Sequence, residues 1–194
     1  MKSAKKLAQR LLRPCEIDNS SILKRFEEVP REFFVPKDYR NLAYSQASIP
    51  ISQEPKRLMT EPLMLAKILS IPTLLETDNA LILGGETGYC AALIAPLVKS
   101  VLNLESDSNL VKLSSRYLKQ QGILNVSNKT SADLNIPKLD ENFDLILMMQ
   151  PTTTLDTTVK HRLNHGGRLV CQVQKGLMVQ VQLYTKAHNC HQID

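Results

Sequence analysis

The stretch that decides the fold is Leu81-Ile82-Leu83-Gly84-Gly85-Glu86-Thr87-Gly88-Tyr89. Its first part is apolar throughout, which is typical of a parallel strand covered on both faces. The glycines permit positive φ and close approach of the backbone, and an apolar helical run at 91–98 follows them. A glycine turn between a strand and a helix offers N–H groups to a ligand. The stretch therefore predicts a nucleotide-binding turn, in which Glu86 takes the place of the middle glycine of G-x-G-x-G.

A second strand is predicted at 100–104, and it ends in Glu105. An acid about twenty residues after such a turn typically holds the ribose hydroxyls of an adenosine-type cofactor. An ordinary strand–helix turn with a surface glutamate is the alternative. The turn and the acid together favour a nucleoside-cofactor fold.

The bulk composition indicates one globular domain, because 43% of the 194 residues are hydrophobic. No window is apolar enough to span a membrane, and the N-terminus lacks the apolar run of a signal peptide. The four cysteines form no C-x-x-C pair, so we expect reduced thiols and a cytoplasmic location. Within the domain we distinguish a substrate-side segment at 1–78, a core at 79–187 and a tail at 188–194.

The net charge of +5 lies in the N-terminal segment, where five cations precede the first acid, Glu16. Those cations are Lys2, Lys5, Lys6, Arg10 and Arg13. Interspersed alanines and leucines make the segment an amphipathic helix, compatible with nucleic acid, anionic lipid or an organelle presequence. A helix that packs on the domain by its leucine face is favoured, so we expect no nucleic-acid or membrane partner.

The rest of the chain alternates strands with helices, which predicts a mostly parallel sheet with helices on both faces. Strands are predicted at 79–83, 100–104, 125–130, 143–149, 168–173 and 177–184. Helices are predicted at 3–12, 20–28, 87–98, 108–121 and 154–163, and a further one begins at 60–62. We expect Ser20 or Ser21 to cap the second helix and Thr60 to cap the helix that contains Pro62. Residues 31–36 and 41–44 are expected to be extended or loop.

Several segments together resemble the protein-L-isoaspartate O-methyltransferase family. They are V-P-R-E-F-F-V-P at 29–36, N-L-A-Y at 41–44, T-G-Y at 87–89, Glu105, F-D-L-I-L at 143–147 and L-N-H-G-G-R-L-V at 163–170. The resemblance extends over roughly residues 9–187, and residues 57–62 with the glycine turn are most similar to an alphaproteobacterial branch.

The resemblance implies a Rossmann-like α/β fold that binds S-adenosylmethionine. It implies methyl transfer to the side-chain carboxylate of isoaspartyl residues in damaged proteins and peptides, whose methyl esters collapse through a succinimide. A carboxylate is already nucleophilic near neutral pH, so the protein mainly positions and desolvates the reactants. Whether the chain acts alone or as a homodimer is left open.

The resemblance also assigns site residues. Thr60 stands where the family has a serine that helps to hold the isoaspartyl group. The cofactor contacts expected from it are Gly84, Gly85, Glu86, Gly88, Glu105 and Asp133. No metal site is expected, although His188-Asn189-Cys190-His191 could bind a metal by composition.

Three departures from the family pattern lie around the cofactor. Ile82 replaces an acid that helps to bind the methionine end, and Asp133 is displaced by one position, leaving Ala132 in place of an aspartate. Glu86 replaces a glycine, at a cost of ~1–3 kcal/mol if φ is positive there. These losses support an alternative function, that of a methyltransferase-fold protein with impaired cofactor binding and little or no activity. A changed acceptor is a third possibility.

Overall fold

The computed structural model describes residues 2–52, 57–131 and 141–187. A six-stranded sheet lies at the centre, in the order β5-β4-β3-β6-β7-β8. The strands are β3 (Asn79–Leu83), β4 (Ser100–Glu105), β5 (Val126–Thr130), β6 (Phe143–Thr152), β7 (Leu163–Lys175) and β8 (Met178–Thr185). All neighbouring pairs are parallel except β7 with β8. Two short strands, β1 (Ile49–Ser52) and β2 (Arg57–Met59), form a separate antiparallel pair. The predicted α/β class is confirmed.

The helices lie at or near the predicted positions. The α-helices are α1 (Lys2–Leu7), α2 (Ser20–Glu28), α3 (Pro62–Ser70), α4 (Tyr89–Ile94), α5 (Ser108–Gln120) and α6 (Thr157–His161). A π-helical turn at Ala8–Leu12 and a 3₁₀ turn at Arg13–Cys15 extend α1, and Ala95–Leu97 extends α4 as 3₁₀. Two further 3₁₀ helices, Arg31–Phe34 and Lys37–Leu42, lie where loop was predicted. No helix in the three described ranges is long and apolar enough to cross a membrane.

Strand β3 is the middle of the core. Leu81 and Ile82 point to opposite faces of the sheet, as successive strand residues do, and each is completely buried in its own apolar cluster. The basic N-terminal segment covers part of one cluster, because Leu7 and Leu12 are buried in it. The segment is therefore a packed amphipathic helix, as its pattern favours.

The two predicted helix caps are wrong. Asn19, not Ser20 or Ser21, caps α2, and its side chain accepts a hydrogen bond from the N–H of Ile22 at 3.2 Å. Glu61 occupies the cap position of α3 without a side-chain bond to the helix. Thr60 is one residue too early, and its hydroxyl is engaged elsewhere. Pro62 begins α3 as predicted, because proline needs no hydrogen bond there.

Candidate cofactor and acceptor site

The glycine turn stands at the carboxyl end of β3, between β4 on one side and β6 on the other. The chain leaves β3 toward β4 and β5 and later returns toward β6 and β7, so this is the point where strand order reverses. Ligands of open α/β sheets bind at such a point. The topology therefore places the turn at the edge where the sequence predicts a cofactor.

Hydrogen bonds tie the turn to the neighbouring strand. The N–H groups of Gly84 and Gly85 both donate to the carbonyl of Leu104, at 2.9 and 3.0 Å. Gly84 and Gly88 have φ of +77° and +88°, which explains the need for glycine at both. Gly85 is required for another reason, because a Cβ there would lie 1.9 Å from Oδ1 of the buried Asn103.

Glu86 has φ of +52°, the left-handed conformation that is costly for a non-glycine residue. Its side chain turns toward the loop that precedes α3 and is only 6% exposed. There its Oε1 accepts hydrogen bonds from the Thr60 hydroxyl at 2.6 Å and the Thr60 N–H at 3.0 Å. Glu86 is thus a bridge from the cofactor turn to the residue assigned to the acceptor.

A buried cation holds the other side of Thr60. Arg31 donates from Nη2 to the Thr60 carbonyl at 2.8 Å, and its guanidinium carbon lies 4.9 Å from the centre of the Tyr89 ring. Its Nε and Nη1 have no partner among the described residues. Arg31 is 1% exposed, and burial lowers its pKa from the ordinary value. Thr60 is therefore fixed through its hydroxyl, its N–H and its carbonyl.

Burial also controls the ionisation of Glu86. Loss of hydration raises the pKa of this carboxyl to about 7, although the hydrogen bonds from Thr60 and the charge of Arg31 act in the opposite direction. A residue that the family pattern would make a glycine is thus a titratable group that changes charge near neutral pH.

Glu105 ends β4 and is 1% exposed. Arg57 binds it in a two-pronged ion pair, with Nη1 2.8 Å from Oε1 and Nη2 3.0 Å from Oε2. The N–H of Glu86 donates to Oε2 at 2.8 Å. Ser106 donates to Oε1 from its N–H and its hydroxyl, and the N–H of Asp107 adds a third contact. All the acceptor positions of the predicted ribose acid are therefore in use.

A cavity of about 400 Å³ adjoins this cluster. Its described lining comes from the β1–β2 region, the start of α3 and the ends of β6 and β7: Ser48, Arg57, Leu58, Met59, Thr60, Glu61, Met64, Met149, Gln150, Pro151 and Gln172. Gly84 faces the same region, because a Cβ there would meet Gln150 and Arg57 at 3.0 and 3.9 Å. The cavity thus reaches from the cofactor turn to Thr60.

The structure brings most of the predicted site residues together. Gly84, Gly85, Glu86 and Gly88 form one turn, Glu105 contacts it and Thr60 contacts Glu86. Asp133 and Ala132 lie outside the described residues. Ile82, which replaces the family's acid, is a buried core residue.

The contacts of two site residues, Arg57 and Arg31, were not predicted from the sequence. The sequence leaves two roles open for Arg57, attraction of an acidic peptide or a place in a solvated loop, and the structure shows it as the ion-pair partner of Glu105. Arg31 is part of the V-P-R-E-F-F-V-P segment, and its chain neighbours Pro30 and Glu32 give no signal that it is buried.

Two further side chains near the site, Cys90 and Met149, have structural roles in the described part of the chain. Cys90 is buried, and loss of hydration raises the pKa of its thiol, which disfavours the reactive thiolate. Met149 packs in the core and also lines the cavity. No cluster of three or more potential metal ligands occurs within the described ranges, and the His188–His191 segment lies outside them.

Comparison with known proteins decides the family. The model of the protein-L-isoaspartate(D-aspartate) O-methyltransferase family matches residues 2–193. The chain belongs to this family. A protein-L-isoaspartate O-methyltransferase of Aliivibrio fischeri (strain MJ11) is 30% identical over 173 residues, which cover 89% of this chain and 82% of that one. One of Rhodopseudomonas palustris is 28% identical over 81% of this chain and 71% of its own length.

Solved structures agree on the fold of this family member. One protein-L-isoaspartate O-methyltransferase superposes with a TM-score of 0.79 at 23% identity. The match covers 95% of this chain but only 60% of the solved one. A second structure, described as a putative member from Plasmodium falciparum in complex with S-adenosyl-L-homocysteine, has the same TM-score at 20% identity and covers 95% and 90%. The fold is that of S-adenosylmethionine-dependent methyltransferases.

The residues present fit such a cofactor in kind. The bare Cα of Gly84 faces the side chains of Gln150 and Arg57, which line the cavity, and Glu105 is a buried carboxylate directly beside the turn. One contact opposes the fit, because Arg57 occupies the carboxylate that the ribose needs.

Proposed function

We propose that this chain transfers the methyl group of S-adenosylmethionine to the side-chain carboxylate of isoaspartyl residues in proteins and peptides. The observation that carries this proposal is the meeting of three predicted elements in one hydrogen-bonded cluster beside the cavity that Thr60 lines. The glycine turn, Glu105 and Thr60 come from β3, β4 and the loop before α3, and hydrogen bonds link all three. Family membership supports the same reaction.

The cofactor would be held by the glycine turn and Glu105. Glu105 would accept the ribose hydroxyls, and Gly84 would admit the cofactor close to the backbone. Gly85 stays a predicted contact through its backbone, because its bare Cα faces Asn103, and Gly88 opens α4 beside them. Glu86 shapes the turn, and Asp133 stays a predicted contact for the adenine. When bound, S-adenosylmethionine supplies an electrophilic methyl group on a sulfonium.

The chain's own residues then position the acceptor and exclude water. An isoaspartyl carboxylate is ionised near neutral pH and needs no base to attack, so orientation and desolvation account for most of the catalysis. Thr60 would present the acceptor, and Arg31 and Glu86 fix its backbone and hydroxyl. Met59 and Met149, both 2% exposed, contribute an apolar wall to the cavity.

The substrate side and the cofactor side of the site come from successive parts of the chain. We propose that residues 1–78 supply the substrate side of the site and residues 79–187 the cofactor side. The lining of the cavity supports this, because it includes Thr60 and Met64 from the first segment and Met149 and Gln172 from the second. A cytoplasmic location is part of the proposal and is supported by free thiols at Cys15, Cys90 and Cys171.

The direct test is methyl transfer to a peptide with one isoaspartyl residue, compared with the same peptide containing aspartate. We expect base-labile methyl ester on the isoaspartyl peptide alone. Glu105→Gln should remove most of this activity, whereas Glu76→Gln, the same change at an exposed position, should leave it intact. Equal labelling of both peptides, or none, would contradict the proposed acceptor.

A second function has its own support. Glu86 accepts the hydrogen bond of the Thr60 hydroxyl, and Arg57 forms an ion pair with Glu105. Both groups that are predicted to bind ligands therefore already have protein partners. These contacts favour a methyltransferase-fold protein with impaired cofactor binding. Calorimetric titration with S-adenosylhomocysteine, repeated on Glu86→Gly, separates the two functions. A dissociation constant on the order of micromolar for the wild type supports the enzyme. Binding by the glycine variant alone supports the alternative.

A further inference from the structure

Arg57 binds the two carboxylate oxygens of Glu105, which the cofactor ribose would also need. An ionised carboxylate has about four acceptor positions, and Glu105 already receives six donor contacts from Arg57, Glu86, Ser106 and Asp107. Four of these come from the turn and from the residues directly after β4, which are fixed by the fold. Only the two from Arg57 come from a separate element, β2. A ribose can therefore reach Glu105 only if Arg57 leaves.

Once displaced, Arg57 needs another anion. Its side chain is 14% exposed, and a largely buried guanidinium without a counter-charge is costly. Arg57 also lines the cavity, where it is the one cation among the described lining residues. Its Nε has no partner in the described part of the chain. The cavity is thus the place where the freed cation can meet a new carboxylate.

The other donors of that cavity are mostly engaged. The Thr60 hydroxyl donates to Glu86, the Gln172 amide donates to the Met149 carbonyl at 2.7 Å, and the Ser48 hydroxyl donates to Glu61 at 3.3 Å. Gln150 adds a neutral amide, so Arg57 is the one charged donor that an incoming carboxylate would find among the described lining residues. Glu61 also repels anions there, so a cation is required for an acidic acceptor to enter.

We propose that Arg57 exchanges partners: it closes the ribose position of Glu105 until cofactor binds, and then pairs with the acceptor carboxylate in the adjacent cavity. This inference rests on the proposed function, since it takes the cofactor and the acidic acceptor from it. It makes Arg57 the specificity-determining residue for a negatively charged acceptor. It also makes binding ordered, with cofactor before acceptor.

Nucleoside binding, measured without turnover, tests the first part of the proposal, in which Arg57 competes with the ribose for Glu105. Methylthioadenosine carries adenine and ribose but no carboxylate, so it measures competition at Glu105 alone. Calorimetry should show that Arg57→Gln binds it about tenfold more tightly than the wild type, the worth of one charge-assisted contact. Arg40→Gln, the same change at an exposed position, should match the wild type. Equal or weaker binding by Arg57→Gln would overturn the competition.

Binding of the acceptor peptide tests the second part of the proposal, in which Arg57 pairs with the acceptor carboxylate. With saturating S-adenosylhomocysteine, the isoaspartyl peptide should bind Arg57→Gln at least about tenfold more weakly than the wild type. In turnover, KM for the peptide should rise by a similar factor while kcat changes little. Arg57→Lys, which keeps the charge but not the fork, should fall between the two in both assays.

The carboxylate of the cofactor is the other source of the same chemistry. If Arg57 moved to it, S-adenosylhomocysteine would lose the gain in affinity that methylthioadenosine shows with Arg57→Gln, and peptide affinity would not change. That result would overturn the acceptor assignment. A wild type that binds nucleoside but no isoaspartyl peptide would contradict the proposed function itself, while the nucleoside arm still tests the competition for Glu105.

Discussion

The carboxylate of Glu86 accepts hydrogen bonds from both the hydroxyl and the N–H of Thr60, which precedes it by 26 residues. One residue stands in the cofactor turn and the other at the predicted acceptor position. The contact couples the two halves of the site through a group whose pKa lies at about 7. Several measurable consequences follow from this pair and its surroundings.

Glu86→Gln should remove a pH-dependent destabilisation. The pKa of the folded state, about 7, lies above the ordinary 4.5, so the native state binds more protons than the unfolded state between these values. The contribution of Glu86 to the free energy of unfolding is therefore most favourable below pH 4.5 and is lost as the pH rises through about 7. Relative to wild type, Glu86→Gln should gain on the order of 2–3 kcal/mol between about pH 5 and about pH 8. Urea unfolding at both pH values measures the difference in the free energy of unfolding between the variant and the wild type. A difference that does not change with pH would contradict this prediction.

Thr60→Val should destabilise the protein mainly above neutral pH. The substitution keeps the shape but removes the 2.6 Å hydrogen bond to Glu86. A hydrogen bond to a charged group contributes ~1.5–3 kcal/mol, and one to the protonated acid about half as much. Thr60→Ser keeps the hydroxyl and is the matched control. Thermal unfolding near pH 8 should rank wild type and Thr60→Ser above Thr60→Val, and an equal loss in both variants would rule out the hydroxyl as the cause.

Gly85→Ala should destabilise by steric overlap alone, since Gly85 is not among the positive-φ glycines. The added Cβ would lie 1.9 Å from Oδ1 of Asn103 and 2.4 Å from its Cγ. Overpacking of this kind costs about 1–3 kcal/mol or more. A shorter side chain at the same place, Asn103→Ser, should recover part of the loss in the double variant. A double-mutant cycle with additive effects would show that Asn103 is not the obstacle.

Arg168→Met should be strongly destabilising because it leaves a buried carboxylate unpaired. Arg168 donates to both oxygens of Asp78, which is 2% exposed, and to the carbonyl of Thr73. Breaking a buried pair from one side costs about 3–5 kcal/mol. Lys24→Met, in the exposed Lys24–Glu28 pair, should cost less than about 0.5 kcal/mol. Urea midpoints compare the two, and similar losses would contradict the role of burial.

The periodicity of the sequence was sufficient for the strands and most helices. The apolar run at Leu81–Leu83 and the glycines after it required a strand, a sharp turn and a helix, whatever the rest of the chain did. The pattern left the backbone of Glu86 open, and the structure shows that it is left-handed, with φ of +52°. The predicted caps at Ser20 or Ser21 and at Thr60 failed because several polar residues compete for one N-terminal position, and local sequence does not rank them.

By itself, the sequence determined the family, the order of the strands and helices, the glycine turn and the acid that ends the next strand. These features depend on residues that are near each other in the chain or on motifs that span it. Only the tertiary structure decided that Arg57 forms an ion pair with Glu105 and that Glu86 accepts hydrogen bonds from Thr60. The partners of these pairs are 48 and 26 residues apart. Both pairs form because the fold brings β2 and the loop before α3 onto the carboxyl edge of the sheet. There, buried charges must find partners, since the water that would otherwise solvate them is excluded.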